Sequence, residues 1–493
     1  MMSLGSLYVS RTSMMGLGSL YAFLLPSVHA AASFAVNVAS EHVWATAPHG
    51  LASVTMDFHP GNQGPTWGAN ASILEIDLDN PALRSAASLL SPAILRLGGS
   101  EAGEQLVYAG FPGGPACPPG YYYCLTPERW DAIVAFADTT GLRLMLDLNL
   151  IGPGNSTDFD GAGLDQIRAL LRHSAAAAPA DVWAFEVGNE NQATLNATEA
   201  ARRVRAVRAA VDAAYGAFEK PLLVGPSPHI VPDWIEDFVA AAGDAVDIFS
   251  YHLYAGYGLA PSIAAQVKSA GFLDDSRSLV ELAAAAARKR APALPVLVSE
   301  TAAAWNSGAP GVTDSFESGF WYLDHLMSAA SSGHVATCRQ TLIGGNYSLI
   351  DSRTFLPNPD FFVARLWGEV VESGDGATRY LRTGRGAVIS GDARRSLRSQ
   401  AACGADGSLA LALANVSPDA VSVGLGGDEG AREEWVLEAH AGDGRRVDLN
   451  GAVLDGVDAP LAPRVVDGDG AFEAPPWSLA FVRYPNLRPP ACA

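Results

Sequence analysis

The chain has 493 residues, 49% of them hydrophobic and 17% charged, enough for a large buried core and more than a single domain of roughly 100–250 residues would use. Gly 50 and Pro 31 fall well short of a disordered composition. Asp+Glu 52 against Lys+Arg 32 leaves a net charge of −20 with no clustered Lys/Arg to offset it, which excludes nucleic acid and anionic lipid as partners and makes a heavily sulfated polysaccharide an awkward substrate.

At the N-terminus, Arg11 precedes an apolar stretch from Met14 to Leu25, followed by Pro26 and the small residues Ala30-Ala31-Ala32. A basic start, a short apolar run and an A-x-A site predict a cleaved signal peptide over 1–32. About 12 apolar residues are too few for the ~20 that cross a bilayer, and no later run looks transmembrane. The protein is therefore expected to be secreted, with extracellular space, cell wall and lysosome-like vacuole all open. Residues 33–50 begin with an alternating segment, Ser33 to Val43, that suits a strand joining the C-terminal sheet.

From 51 to 371, apolar runs alternate with helical patterns. The strand candidates are 53–58, 93–99, 143–149, 182–190, 221–225, 246–254, 295–300 and 337–344, near-continuous apolar runs of the kind parallel strands show when both faces are covered. Thr126-Pro127 opens a helix whose Trp130, Ile133, Val134 and Ala137 recur at helical spacing before Gly141. A second helix is expected over 197–217, capped by Thr198, and a third over 314–331, with Phe316, Phe320, Leu323 and Leu326 on one face. Eight strands alternating with helices predict a (β/α)8 TIM barrel. A doubly wound sheet is the rival, but no G-x-G-x-x-G or Walker loop follows the first strand. Over 372–493 long helical patterns give way to short alternating segments between Gly/Asp-rich turns, which predicts a C-terminal antiparallel β-sandwich domain.

Five cysteines leave at least one thiol unpaired in a monomer. Cys117 and Cys124 flank a Pro/Gly/Tyr loop they could close, pairing Cys403 with Cys492 would staple the tail to its domain, and Cys338 sits in an apolar run where a buried thiol is the default. None has metal-ligand spacing, so no metal or other cofactor is expected. N-x-S/T sequons at Asn70, Asn155 and Asn196 are glycosylation candidates; Asn346 and Asn415 also match, the latter weakened by Pro418.

The active site of such a barrel lies at the C-terminal ends of its strands. Run one ends in Asp57, run four in Gly188-Asn189-Glu190, run six in His252-x-Tyr254 and run seven in Ser299-Glu300, while run eight carries Arg339-Gln340 and leads to Asn346-Tyr347. A lone Glu at a strand end is ordinarily a solvated rim charge. Two that converge suit glycoside hydrolysis, which needs an acid at the leaving oxygen and an anion at the anomeric carbon. Burial and the second carboxylate are expected to raise the pKa of the acid. Asn189 can hydrogen-bond a sugar 2-hydroxyl; His252 and Tyr254 can orient the nucleophile and wall the site.

LRLGGS (95–100), FEVGNEN (185–191) and VLVSETAAAWNSGAP (296–310) resemble glycoside hydrolase family 79, the heparanase-like β-glucuronidases, and the stretch 314–367, ANVSPDAV and the terminal PACA extend the likeness. The resemblance implies a retaining mechanism, with Glu190 as acid/base and Glu300 as nucleophile. It implies that Asn189 contacts the 2-hydroxyl, that Asp57 lines the glucuronide subsite, and that His252 and Tyr254 lie near the nucleophile. Tyr347 would hold the uronate carboxylate with backbone N–H groups after Trp305, Arg339 and Gln340 match the strand-eight pair, and Cys403–Cys492 would close the sandwich. Asn346 then belongs to the pocket. Where the heparanase branch has a Gly-rich stretch after the nucleophile, this chain has Asn306-Ser307-Gly308. The expected activity is removal of β-linked glucuronic acid from polysaccharides or small glucuronides. The alternatives are another clan-A glycosidase, an arabinofuranosidase or xylosidase, and a catalytically silent glycan-binding protein.

Overall fold

Each of the eight apolar runs becomes one stave of a closed, all-parallel barrel in sequential order: β1 Ala52–Asp57, β2 Ile94–Gly98, β3 Arg143–Leu148, β4 Val182–Val187, β5 Leu222–Pro226, β6 Ile248–Tyr257, β7 Val296–Trp305 and β8 His334–Arg339. The computed structural model describes residues 32–60, 67–68, 71–154, 156–216, 218–373, 376–385, 396–425, 430–468 and 470–493. The expected signal segment up to Ala31, the sequons at Asn70 and Asn155, and the alternating segment 386–391 lie outside the described residues. Among the described residues, no helix is long and apolar enough to cross a membrane.

The strands form where the sequence is apolar because they are covered on both sides. Ile94, Met145, Ala184, Val224, Ile248, Leu297, Ala336 and the free thiol of Cys338 make one buried cluster of small and branched side chains. β8 starts three residues before the expected 337 and stops at Arg339. His334 already pairs with Val296, and Gln340 leaves the ladder to bond inward with Thr55 and Asp57.

Helix Pro127–Thr140 is closed as the sequence indicates: Thr126 Oγ1 accepts from the Arg129 N–H at 3.3 Å, and Gly141 takes the left-handed φ of 72° that ends it. Helix Ala197–Tyr215 is capped by Asn196, whose Oδ1 accepts from the Glu199 N–H at 2.9 Å. Thr198 is already inside the first turn, so the expected cap shifts by two residues.

Among the described residues, Val107–Tyr108 and Cys124–Leu125 pair in a small sheet of their own, and the other strands form a path of ten that includes the N-terminal strand Ala32–Pro48, with Arg464–Val466 attached to its side. That strand runs antiparallel to Ala377–Arg385 and parallel to Val421–Gly424, so it bridges the two sheets and makes one parallel pair in an otherwise antiparallel array. Leu381, Leu411 and Val482 from one sheet and Val421, Val423 and Phe472 from the other share a single core. Cys403–Cys492 and Cys117–Cys124 are both disulfides. Helix Phe316–Ser331 is buried on nearly every face, with Phe320 edge-on to Trp477, and joins the barrel to the sandwich. The Glu372 carboxylate accepts the Gly50 and Leu51 N–H groups at 2.9 and 3.1 Å, just ahead of β1.

Candidate active site

Residues at the end of β1, just past β4 and midway along the longer β6 and β7 meet at one rim of the barrel. After β4 the chain reverses through Gly188 at φ 101° and Glu190 at φ 54°. The left-handed conformation is uncommon for a residue with a side chain, and here it is held by surrounding bonds. Gly188 N–H donates to Asp147 Oδ1 at 3.1 Å, Asn189 N–H to Asn191 Oδ1 at 3.1 Å, and Glu190 N–H to the Ser227 carbonyl at 2.9 Å.

Arg96, near the centre of β2, is the hub. It has no solvent exposure, and its guanidinium donates to Glu186 Oε2 at 2.5 Å, Glu300 Oε2 at 2.6 Å and Asn189 Oδ1 at 2.8 Å. Tyr254 OH donates to the other oxygen of Glu300 at 2.5 Å. The Glu300 carboxylate is therefore clamped from both sides. Arg96 Nη2, a donor only, lies 3.3 Å from His252 Nε2, so that nitrogen accepts and Nδ1 carries the ring proton. His252 Nδ1 then donates to Glu190 Oε1 at 2.9 Å. His229, in the loop after β5, places Nε2 3.3 Å from the other Glu190 oxygen.

A carboxylate oxygen of Glu190, one of Glu300 and a ring nitrogen of His252 lie within 4.8 Å of one another. Each residue of the trio is held by hydrogen bonds within the site.

Electrostatics correct one sequence expectation. Burial does push the Glu190 carboxyl up, but the hydrogen bonds from His229 and His252 outweigh it and hold Glu190 below the ordinary carboxylate range. The same contact raises His229 above its usual value. Asp57 moves the other way: burial, then the charges of Glu101 and Glu300, raise it well above an ordinary aspartate. Burial likewise raises Glu101, and Tyr254 and Tyr347 are pushed up by burial and nearby carboxylates.

Both glutamates open onto a cleft of about 640 Å³ that Asp57, Tyr254, Gln340 and Tyr347 also line. Gln340 Nε2 donates to Asp57 Oδ2 at 2.9 Å, fixing that wall. His252 and Asn189 lie buried beneath it, His252 against Glu190 and Asn189 through its Oδ1 against the Arg96 guanidinium. Arg339 does not join them. Neighbouring residues of an extended chain point to opposite faces, and Arg339 turns outward to Asp360 Oδ2 at 2.8 Å and Ser318 Oγ at 3.2 Å. It ties β8 to the surrounding helices and is no subsite residue. Asn415 is also structural, since its buried amide donates to the Asp419 and Pro475 carbonyls at 2.8 Å. Asn196 is exposed.

Sequence reasoning missed Arg96, His229, Glu101, His59 and Trp67. A charged residue in the middle of the apolar run AILRLGG and a histidine just past run five were available signals. Trp67 stacks with His59 at 5.2 Å and meets Tyr347 edge-on at 6.1 Å, a pairing no local pattern encodes. Among the described residues, no Lys or Arg lines the cleft.

Known proteins resemble this chain in sequence and in fold. The family profile described as "Glycosyl hydrolase family 79, N-terminal domain" matches residues 33–327. The chain is 27% identical to heparanase-like protein 3 of Arabidopsis thaliana, over 89% of this chain and 90% of that one. It is 26% identical to the baicalin-β-D-glucuronidase of Scutellaria baicalensis, with 85% of each covered. Among solved structures, the family 51 arabinofuranosidase of Xanthomonas axonopodis pv. citri superposes with a TM-score of 0.65 at 17% identity, covering 92% of this chain and 99% of that one. At that identity the likeness shows the fold alone.

Proposed function

The chain belongs to glycosyl hydrolase family 79, and from that premise we propose that it is a secreted, retaining β-glucuronidase with Glu300 as nucleophile and Glu190 as acid/base. The observation that carries the reading is the approach of the two carboxylates, oxygen to oxygen within 4.8 Å. Double displacement needs carboxyl groups ~5–5.5 Å apart, whereas inversion opens the gap to ~6.5–9.5 Å to admit water.

In the first step Glu300 attacks the anomeric carbon while a proton passes from Glu190 to the leaving oxygen. Arg96 and Tyr254 hold the attacking carboxylate in place, so little reorganisation is needed. Because His252 donates to Oε1, the transferable proton resides between Oε2 of Glu190 and Nε2 of His229. In the second step Glu190 takes a proton from water, which attacks the glycosyl ester and releases the sugar with its original configuration.

The uronate reading is supported by the loop after β7. Asn306, Ser307 and Gly308 have φ of 63°, 59° and 74°, a curled backbone of the kind that gathers N–H groups around an anion. It lies in the same cleft wall as Tyr347. Asp57 and Glu101, both shifted toward the protonated form, reduce the negative charge a glucuronate meets. With no Lys or Arg among its described lining residues, the cleft favours a glucuronide with a neutral leaving group over a sulfated chain. Two disulfides support passage through an oxidising compartment.

A screen of aryl β-glycosides tests the reading: glucuronide should be cleaved in clear preference to glucoside, xyloside and arabinofuranoside. Preference for either pentoside would select a different clan-A activity.

A further inference from the structure

A second cavity, of about 690 Å³, lies between the sandwich and the barrel. It is bounded by the turn before β8 and by the C-terminal half of helix Ala270–Arg290. Those segments mark the N-terminal side of the barrel, whereas both catalytic glutamates sit at the C-terminal side. Trp44, from the N-terminal strand, stands in this cavity with about half its surface exposed, although it is one of the largest apolar side chains in the protein. Its indole N–H donates to the Ser331 carbonyl at 2.8 Å, which fixes the ring in place. The Arg382 guanidinium lies 4.6 Å from the ring centroid.

The charges here run against the rest of the molecule. Arg277 is neutralised by Asp324 at 2.8 Å, and Glu281 contributes one acid to the lining. Arg288 spends its donors on the Ser332 and Gly333 carbonyls at 2.7 and 2.9 Å. Among the described residues, neither Arg288 nor Arg382 has a carboxylate within salt-bridge distance. In a chain with a net charge of −20, this is a local basic spot beside a fixed, exposed aromatic ring. A flat indole face accepts the axial C–H groups of a pyranose, and a guanidinium matches a carboxylate in bidentate geometry.

We propose that this cavity is a second, non-catalytic binding site for an acidic saccharide, with Trp44 stacked on a sugar ring and Arg382 paired to a uronate carboxylate. Arg288 adds positive potential from behind. The site would hold a sparsely charged glycan while terminal glucuronates are removed at the other side of the barrel. The inference rests on the β-glucuronidase reading only for the identity of the sugar.

The experiment is a calorimetric titration of the Glu300→Gln enzyme with a galactan oligosaccharide bearing glucuronate, beside a neutral galactan of equal length. Two equivalents of the acidic ligand should bind. Adding Arg382→Glu or Trp44→Ala should remove one equivalent or weaken it by at least about tenfold, with the neutral galactan absent from that site. In the otherwise intact enzyme, the same two substitutions should leave aryl glucuronide turnover unchanged. Arg382→Glu alters an exposed side chain and carries the test even if Trp44→Ala disturbs its strand. A single equivalent that disappears with Arg382→Glu would uphold this site and count against glucuronate binding in the catalytic cleft. Stoichiometry and affinity that ignore both substitutions would overturn the proposal.

Discussion

Arg96 Nη1 donates to Glu300 Oε2 at 2.6 Å from a position with no solvent exposure. The same guanidinium binds Glu186 at 2.5 Å, so one cation serves a structural carboxylate and the proposed nucleophile at once.

Arg96→Met should therefore damage both properties together. Removing one partner of a buried ion pair typically costs ~3–5 kcal/mol, because the remaining charge is stranded. Thermal unfolding should show a loss of that order, and glucuronide turnover in the folded fraction should fall at least about a hundredfold. Unchanged unfolding would contradict the hub role.

His229→Gln should narrow the active pH range from the basic side. In the proposed mechanism the Glu190–His229 pair shares the proton that is transferred, and its apparent pKa belongs to the pair. His229 is raised and Glu190 lowered by their contact, so with the histidine present the proton is retained to higher pH. Without it the acid is Glu190 alone, still bonded to His252, and the basic limb of kcat/KM should move down. Activity should fall more at pH 7 than at pH 5. An unmoved basic limb would show that His229 is a bystander.

Tyr347→Phe keeps the ring that packs on Trp67 and removes the hydroxyl. If that hydroxyl holds the uronate, the ratio of kcat/KM for glucuronide over glucoside should drop about tenfold or more, in line with ~1–3 kcal/mol for a lost polar contact. Equal losses for both sugars would place Tyr347 in general packing.

The two disulfides should differ in weight. Cys403–Cys492 closes a separation of 89 residues, Cys117–Cys124 one of 7. Restriction of the unfolded chain grows with loop length. Paired substitution Cys403→Ser/Cys492→Ser should cost ~2–5 kcal/mol in denaturant unfolding, and the other pair clearly less.

The barrel was legible because its strands are covered on both faces and so appear as continuous apolar runs, and because Thr126 and Gly141 mark a helix by local chemistry alone. Glu190, Glu300, Asp57 and Tyr254 were legible because they terminate such runs. Arg339 misled, since a resemblance aligns positions without telling which side of the sheet a side chain faces. His229 and Trp67 were hidden because they reach the site from loops, and only the closed barrel brings their segments near Glu190 and Tyr347. The lowered Glu190 pKa could not be foreseen for the same reason. It depends on His229, 39 positions away in sequence and 3.3 Å away in space.

The most direct measurement follows the anomeric proton of released glucuronic acid by NMR during rapid hydrolysis of an aryl β-glucuronide. The β-anomer should form first and then mutarotate, and Glu190→Gln and Glu300→Gln should each abolish the signal in folded protein. First appearance of the α-anomer, or turnover surviving either substitution, would contradict a double displacement between these two glutamates.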